Sequence, residues 1–316
     1  MNDDVRWLAA AASVAARGLP LSRPNPAVGA VIVKAGRVVG RGWTQPGGRP
    51  HAEAMALAMA GAEAQGATLY VTLEPCAHES PRGPACAALV AASGLARVVV
   101  GAQDPDPRTA GEGVAIMHAA GIESALLAIP QVHLSLAGYL SQRTRNRPHV
   151  TLKLATSLDG CIALANGESQ WITGEAARAH THAMRARADA ILVGGGTLRA
   201  DAPRLDVRLP GLEDRSPARW VLTRGQAPTG WRALPSPEAV SDMADVQYLF
   251  VEGGAQTAAA FLAAGLVDRL LLYRAPIVIG GGMAAIGDIG LGSLAEAHDK
   301  WRLADRRQLG SDTLEV

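Results

Sequence analysis

His51-Ala52-Glu53 follows directly on Pro50, which closes the glycine-bearing stretch Pro46-Gly47-Gly48-Arg49. Cys76 comes 25 residues after His51, at the end of Glu74-Pro75-Cys76, and nine residues separate it from Cys86. One imidazole and two thiolates at the ends of elements can hold zinc with three protein ligands and leave the fourth position to water. That is the catalytic rather than the structural pattern. Zinc lowers the pKa of a bound water from about 15.7 to about 7, so hydroxide is available at neutral pH. Glu53, two residues from a ligand, is placed to shuttle protons without binding metal. The competing reading makes Cys76 and Cys86 small buried hydrophobes and His51 a helix-cap residue. It suits any one of them alone, but not the three ligand types, the Glu at the second place after the His and the Pro before the first Cys together.

Such residues need elements to hold them, and both halves of the chain supply strands and helices in alternation. In the first half the pattern predicts a helix over 3–17, adjoining strands over 27–34 and 37–43, and a helix over 51–65 rich in Ala, Met, Leu and Glu. A strand over 68–73, a helix over 84–93 and a strand over 97–101 follow. A helix over 111–120, a short strand over 123–128 and a helix over 131–143 complete that half. The basic, proline-bearing stretch Thr144-Arg145-Asn146-Arg147-Pro148 marks the boundary, giving domains 1–146 and 147–316. The second half reads as strand 150–156, helix 175–188, strands 189–193, 220–223 and 248–251, helix 255–264 and strand 269–273, with mostly loop over 224–245. Two successive alternations predict α/β architecture twice over; no sequence repeat relates the halves.

Composition narrows the function. At roughly 150 residues per domain, 316 residues make two domains. With 48% hydrophobic residues each can bury a core. Thirty basic against 29 acidic residues, net +1, give no footprint for a nucleic-acid backbone, and 4% aromatics give few stacking surfaces. The acidic start Met1-Asn2-Asp3-Asp4 is unlike a signal peptide. The apolar stretch Ala255–Val267 is shorter than the roughly 20 residues of a membrane span. The expectation is a cytoplasmic enzyme acting on a small molecule, without nucleic-acid or membrane partners. Three cysteines are too few for a disulfide framework. Cys161, after Asp159-Gly160, is expected to be a plain core residue.

His-x-Glu…Pro-Cys…Cys is the signature of the zinc-dependent deaminases, whose general form has two residues between the cysteines where this chain has nine. The segments Arg23-Pro24-Asn25-Pro26-Ala27-Val28-Gly29, His51-Ala52-Glu53 and Pro75-Cys76-Ala77-His78 through Cys86 resemble the deaminase half of the bifunctional riboflavin-biosynthesis deaminase/reductases. The resemblance implies a cytidine-deaminase-like α/β/α domain acting on a phosphoribosylated diaminopyrimidine. His51, Cys76 and Cys86 would be the zinc ligands and Glu53 the catalytic proton shuttle, with Asn25, His78 and Arg82 contacting substrate. A solvated loop charge explains Arg82 nearly as well. Two places depart from the family pattern: the Cys76–Cys86 loop is one residue longer, and Thr44 stands where a His is frequent.

Glycine marks three strand-to-helix junctions of the second half, at 194–196, 253–254 and 280–282. Free N–H groups there would suit a phosphate, although ordinary turns explain them equally well, and no G-x-G-x-x-G fingerprint occurs. Lys153, Arg185 and Arg208 could hold an anionic sugar phosphate, while each alone is as readily a snorkelling charge. Lys153 through Gly160, Gly167 through Thr173, Thr197, Asp201 through Leu205, Arg208 and Glu252-Gly253-Gly254 resemble, in order, the reductase half of the same family. Ala202-Pro203 stands where many relatives have Asp-Pro. That half is similar to dihydrofolate reductase in fold and uses NADPH. By position, Ala155, Trp171, Thr197, Asp201, Thr223, Gly253 and Gly254 would contact NADPH. Lys153, Ser169, Arg185, Leu205, Arg208 and Glu252 would contact substrate.

The resulting expectation is a two-step enzyme: zinc-dependent hydrolytic deamination, then NADPH-dependent reduction of the ribosyl group to ribityl. It would bind a small phosphoribosyl pyrimidine and form a homo-oligomer, dimer or tetramer. The alternatives are a zinc-dependent nucleoside or nucleic-acid deaminase with an accessory domain, a chain retaining one of the two activities, and a zinc-stabilised interaction module. The last needs a fourth protein ligand, for which His78 is the local candidate.

Overall fold

Leu8, Ala11, Ala12 and Ala15 recur at helical spacing and form the buried stripe of α1 (Asp3–Ala15). In the computed structural model, which describes residues 3–78 and 80–316, this helix opens the first of two units, Met1–Asn146 and Arg147–Val316. Next come β1 (Gly29–Lys34), β2 (Arg37–Trp43), α2 (Ala52–Ala60), β3 (Thr68–Val71), α3 (Cys86–Ala91) and β4 (Arg97–Val100). The unit ends with α4 (Glu112–Ala119), β5 (Glu123–Leu126) and α5 (Pro130–Arg145). The sheet order is β2-β1-β3-β4-β5, with β1 antiparallel to both neighbours and β3, β4 and β5 parallel.

Two glycines settle which helix covers which face. A Cβ on Gly29 would stand 2.0 Å from the Ala11 carbonyl of α1, and one on Gly42 would stand 2.2 Å from the Ala52 carbonyl of α2. Gly42 pairs with Ala30, so it faces the opposite side of the sheet from Gly29. Backbone-close packing therefore puts α1 on one face and α2 on the other. Burial of β1 on both faces explains its continuous apolar run.

The second unit holds β6 (His149–Thr156), β7 (Cys161–Ala163), α6 (Glu175–Arg185), β8 (Ala190–Gly194), α7 (Gly195–Asp201), β9 (Ala218–Leu222), β10 (Arg232–Leu234) and β11 (Tyr248–Val251). After these come α8 (Ala255–Ala263), β12 (Arg269–Arg274), β13 (Met283–Ala284), β14 (Arg306–Leu309) and β15 (Asp312–Glu315). Its main sheet runs β10-β9-β8-β11-β6-β12-β15-β14, parallel up to β12 and antiparallel beyond. Alternate residues feed two cores. Val150, Leu152, Leu192, Leu249 and Val251 pack with Phe261 of α8. Ile191, Val193, Phe250, Leu271 and Tyr273 pack with Ala177 of α6. Helices on both faces of a mostly parallel sheet are what the alternation predicts.

Three differences from the sequence reading have local causes. The stretch 224–245 is mostly loop, as expected, but it also contains β10 and a 3₁₀ segment, Pro237–Asp242, whose Val240 is fully buried. Helix α7 is seven residues long and starts at two glycines, so propensity hides it. The terminal hairpin β14–β15 buries a single apolar side chain, Leu314, so it carries no periodic signal. Cys161 is buried at the start of β7, as expected. Among the described residues no helix is long and apolar enough to cross a membrane.

One ion-pair cluster ties α1 to the sheet. Arg97 donates to both carboxylate oxygens of Asp4, at 2.8 and 3.0 Å, and the Tyr70 hydroxyl donates to the same group at 2.9 Å. The hydrogen bond from Arg97 holds the Asp4 carboxyl below its ordinary value of 3.8, against the opposing effect of burial. A depressed folded-state pKa adds stability above the ordinary value, and that stability is lost as pH falls through the folded value. Asp4→Asn is therefore expected to unfold at lower denaturant than the parent at pH 7. The gap should close as pH falls below the ordinary value of 3.8 and through the lower folded-state value. A gap that does not change with pH would show that Asp4 acts through packing alone.

Candidate functional sites

His51 is the extended residue immediately before α2, and Cys86 is the first residue of α3. Cys76 lies in the loop after β3, where its carbonyl accepts the Ala87 N–H at 3.1 Å and its sulfur accepts the Cys86 N–H at 3.3 Å. The loop 76–86 thus closes on its own two cysteines. Nδ1 of His51 is 3.3 Å from Sγ of Cys86 and 3.6 Å from Sγ of Cys76, and the three ligand atoms all lie within 4.8 Å of one another. Zinc bonds of about 2.0–2.3 Å place tetrahedral neighbours roughly 3.5–3.8 Å apart, so the donor set fits a zinc ion. The hydrogen bond with Cys86 pulls the Cys76 thiol down to about 3 against burial, and His51 adds to the effect. The same bond pushes Cys86 up, so the pair holds one negative charge where two thiolates could sit beside a cation.

Glu53 occupies the first turn of α2, is only 3% exposed, and faces the same cleft. Burial raises its carboxyl pKa, and the nearby imidazole only partly offsets this. Asn25 Nδ2 lies 2.9 Å from Nε2 of His51 and donates to the Gly48 carbonyl at 3.0 Å, steadying the ring from the side away from the cysteines. Gly48 must stay small: its φ is +88° and a Cβ would come within 2.7 Å of Asn25. Thr44 is buried and its hydroxyl accepts the Val28 N–H at 3.0 Å, so it has a structural task at the cleft wall. His78 turns toward Thr109, at 3.5 Å, and does not join the three-ligand group. Among the described residues no fourth protein ligand completes a closed, structural site.

The cleft, about 220 Å³, has a wall that the sequence reading missed. Buried Glu74 accepts the N–H groups of Asp104, Gly111 and Val114 at 3.1–3.2 Å, which fastens the segment 104–114 over the site. Asp104 accepts the Tyr139 hydroxyl at 2.7 Å and the Asp106 N–H at 2.9 Å, and burial raises its pKa. Asp106 takes two side-chain hydrogen bonds from Arg108, at 2.6 and 2.9 Å, and lies 3.4 Å from Arg143. The hydrogen bonds from Arg108 hold its carboxyl far below the usual range. The available signal was Asp104-Pro105-Asp106-Pro107, two carboxylates stiffened by prolines just after a buried strand.

In the second unit, Glu252 directly follows β11, Lys153 lies on β6 and Arg185 ends α6. Lys153 alternates with Leu152 and Leu154 of the opposite core, so it projects to the α6 face. Arg185 grips Glu252 with two bonds of 2.6 and 3.0 Å, and Lys153 Nζ stands 3.9 Å from the same carboxylate. Burial pushes Glu252 up, but Lys153 and Arg185 together outweigh it and hold it ionised. Burial lowers Lys153, and Glu252 opposes that shift. Arg185 also donates to the Asp206 carbonyl at 3.0 Å, and Arg208 lies 3.4 Å from the Asp206 carboxylate, which brings Arg208 and buried Leu205 alongside. Asp206 and His182, whose Nδ1 is 3.1 Å from the Asp206 carbonyl, are network members the sequence reading did not single out.

The glycine junctions at 194–196 and 253–254 start α7 and α8, at the carboxyl ends of the adjacent strands β8 and β11. A Cβ on Gly254 would stand 3.6 Å from the Thr197 hydroxyl, and open space surrounds the Cβ position of Gly196. Bare helix starts at a parallel-sheet crevice suit the phosphates of NADPH. Ala155 is half-buried on β6, Asp201 ends α7, and the Thr223 hydroxyl accepts the Gly225 N–H at 3.1 Å just past β9. Among the described residues neither Ser169 nor Trp171 hydrogen-bonds to the Lys153–Arg185–Glu252 cluster; exposed Trp171 lies under Arg178 at 5.1 Å.

Comparison with known proteins separates the two units in the same way. The family described as the cytidine and deoxycytidylate deaminase zinc-binding region matches residues 1–102, and the RibD C-terminal domain family matches residues 148–314. The chain is 37% identical to the riboflavin biosynthesis protein RibD of Escherichia coli K12, over 98% of this chain and 97% of that protein. Acinetobacter baumannii RibD superposes with a TM-score of 0.85 at 35% identity, covering 99% of this chain and 97% of its own. The diaminohydroxyphosphoribosylaminopyrimidine deaminase/5-amino-6-(5-phosphoribosylamino)uracil reductase of Thermotoga maritima superposes with a TM-score of 0.86 at 30% identity, with the same coverage.

The geometry sets an expectation for metal content. The purified full chain should carry about one zinc per molecule, whereas Cys86→Ser should fall well below that by elemental analysis, since Zn–thiolate bonding is lost. Full zinc occupancy in Cys86→Ser would exclude Cys86 from the ligand set.

Proposed function

Because the chain belongs to the RibD family of bifunctional riboflavin-biosynthesis deaminase/reductases, we infer that its units catalyse consecutive steps on one phosphoribosylated diaminopyrimidine. The unit 1–146 removes an amino group from the ring, and the unit 147–316 reduces the ribosyl group to ribityl. The observation that carries this reading is the presence in one chain of both sites: a His/Cys/Cys group beside buried Glu53, and a Lys153–Arg185–Glu252 cluster beside two glycine-started helices.

In the first unit His51, Cys76 and Cys86 would hold zinc, which when bound would supply a water acidic enough to serve as nucleophile near neutral pH. Glu53 takes a proton from the attacking water and delivers it to the departing amine. Its burial suits that task, because a raised carboxyl pKa favours holding the proton between the two transfers. Asn25, His78 and Arg82 orient the pyrimidine and its ribose phosphate. In the second unit NADPH supplies the hydride. Its contacts are Ala155, Trp171, Thr197, Asp201, Thr223 and the Gly253-Gly254 turn. Lys153, Ser169, Arg185, Leu205, Arg208 and Glu252 position the ribose phosphate, with Glu252 keeping the two cations aligned and charged. The protein works in the cytoplasm on this small molecule, as a dimer or tetramer, without nucleic-acid or membrane partners.

Two variants test the halves separately. Glu53→Gln is expected to keep its zinc and lose ammonia release by roughly 10²–10⁴-fold, while still oxidising NADPH with the deaminated substrate. Lys153→Ala is expected to show the converse. Undiminished deamination in zinc-loaded Glu53→Gln would remove Glu53 from the mechanism, and turnover of cytidine in place of the phosphoribosyl substrate would overturn the assigned specificity.

A further inference from the structure

Two loops carry the three ligands of the first cleft, 44–51 with His51 and 76–86 with both cysteines. Each sends an arginine to the other. Arg49 Nη1 donates to the Pro84 carbonyl at 3.3 Å, and Arg82 Nη2 donates to the Gly47 carbonyl at 2.5 Å. Both guanidiniums line the cleft. Their partners are neutral carbonyls, and no ion pair to either is present among the described residues. The two other rim arginines share one carboxylate, since Asp106 binds Arg108 and lies beside Arg143. Gly83 keeps the crossing open: its φ is +137°, and a Cβ there would press within 3.1 Å of Arg49 Nη1.

The crossing therefore brings two guanidiniums that have no carboxylate partner among the described residues to the wall of the zinc cleft. Like charges lining one cleft repel less once an anion joins them. Each guanidinium has five N–H donors, so a carbonyl bond leaves several to offer. A phosphomonoester carries about −1.5 to −2 charge at pH 7 and several strong acceptor oxygens, which a pair of guanidinium forks matches. We propose that Arg49 is a specificity-determining residue of the deamination site, seating the substrate's phosphomonoester together with Arg82. Because each arginine also fastens the opposite ligand loop, an occupied seat draws the two loops together over the ring. This assignment rests on the deaminase reading above and extends it to a residue two positions before His51.

The test uses the zinc-loaded full chain and Arg49→Met, with the phosphoribosyl pyrimidine and its dephosphorylated riboside as paired substrates. For the phosphorylated substrate, kcat/KM is expected to fall roughly 10- to 100-fold, mostly through KM, with little change for the riboside. Arg49→Lys should recover part of the loss, keeping the charge without the fork. Ribose 5-phosphate, measured by calorimetry against the same proteins, should bind the parent and bind Arg49→Met weakly. Equal losses on both substrates, with ribose 5-phosphate binding unchanged, would make Arg49 a loop strut and overturn the proposal. A parent that deaminates neither substrate would refute the proposed function, whereas the ribose 5-phosphate comparison would still decide the anion seat.

Discussion

Two buried thiols, an imidazole and a buried carboxylate crowd into a space a few ångströms across, and only a cation makes that arrangement stable with its charges expressed. The first unit is organised around this constraint. The hydrogen bond between the two sulfurs lowers the Cys76 thiol and raises the Cys86 thiol. With a divalent ion all three donors are satisfied, and Glu53 lies buried beside them. The backbone serves the same end. Gly42 lets α2 lie against β2 so that His51 meets the cysteines, and the 76–86 loop closes through bonds from its own second cysteine.

The second unit balances charge without a metal. Glu252 sits between two cations: burial raises its pKa, and Lys153 and Arg185 together outweigh burial and lower it. Removing one member of such a set leaves an uncompensated charge in a dry place, which is costlier than the intact set. The network joins β6, α6 and the residue after β11, next to the start of α8. Catalysis there needs little acid–base chemistry from the protein when the cofactor carries the hydride, and positioning becomes the main task.

The ordering of elements was legible wherever periodicity was strong. β1, β3, β4, β8 and β11 are apolar runs that end within two residues of their expected bounds, because strands buried on both faces need such runs. β10, α7 and the β14–β15 hairpin were not legible, since each is short and leans on neighbours rather than on its own pattern. The zinc donors were readable because metal chemistry admits few residue types at few spacings. Glu74, Asp104, Asp106 and Tyr139 were not, because a carboxylate accepting backbone N–H groups looks like any other in a sequence.

By itself the sequence determined the number of units, the donor types of the metal site and the family whose motifs run through both halves. These are matters of local composition and spacing, which a linear chain expresses directly. Only the tertiary structure decided that Arg185 and Glu252, 67 positions apart, share one carboxylate clamp. It likewise decided that Asp106 is shared by two of the cleft's arginines, while Arg49 and Arg82 cross between the ligand loops with, among the described residues, no carboxylate partner. Charge balance depends on which groups meet in space, and burial sets how strongly each meeting counts.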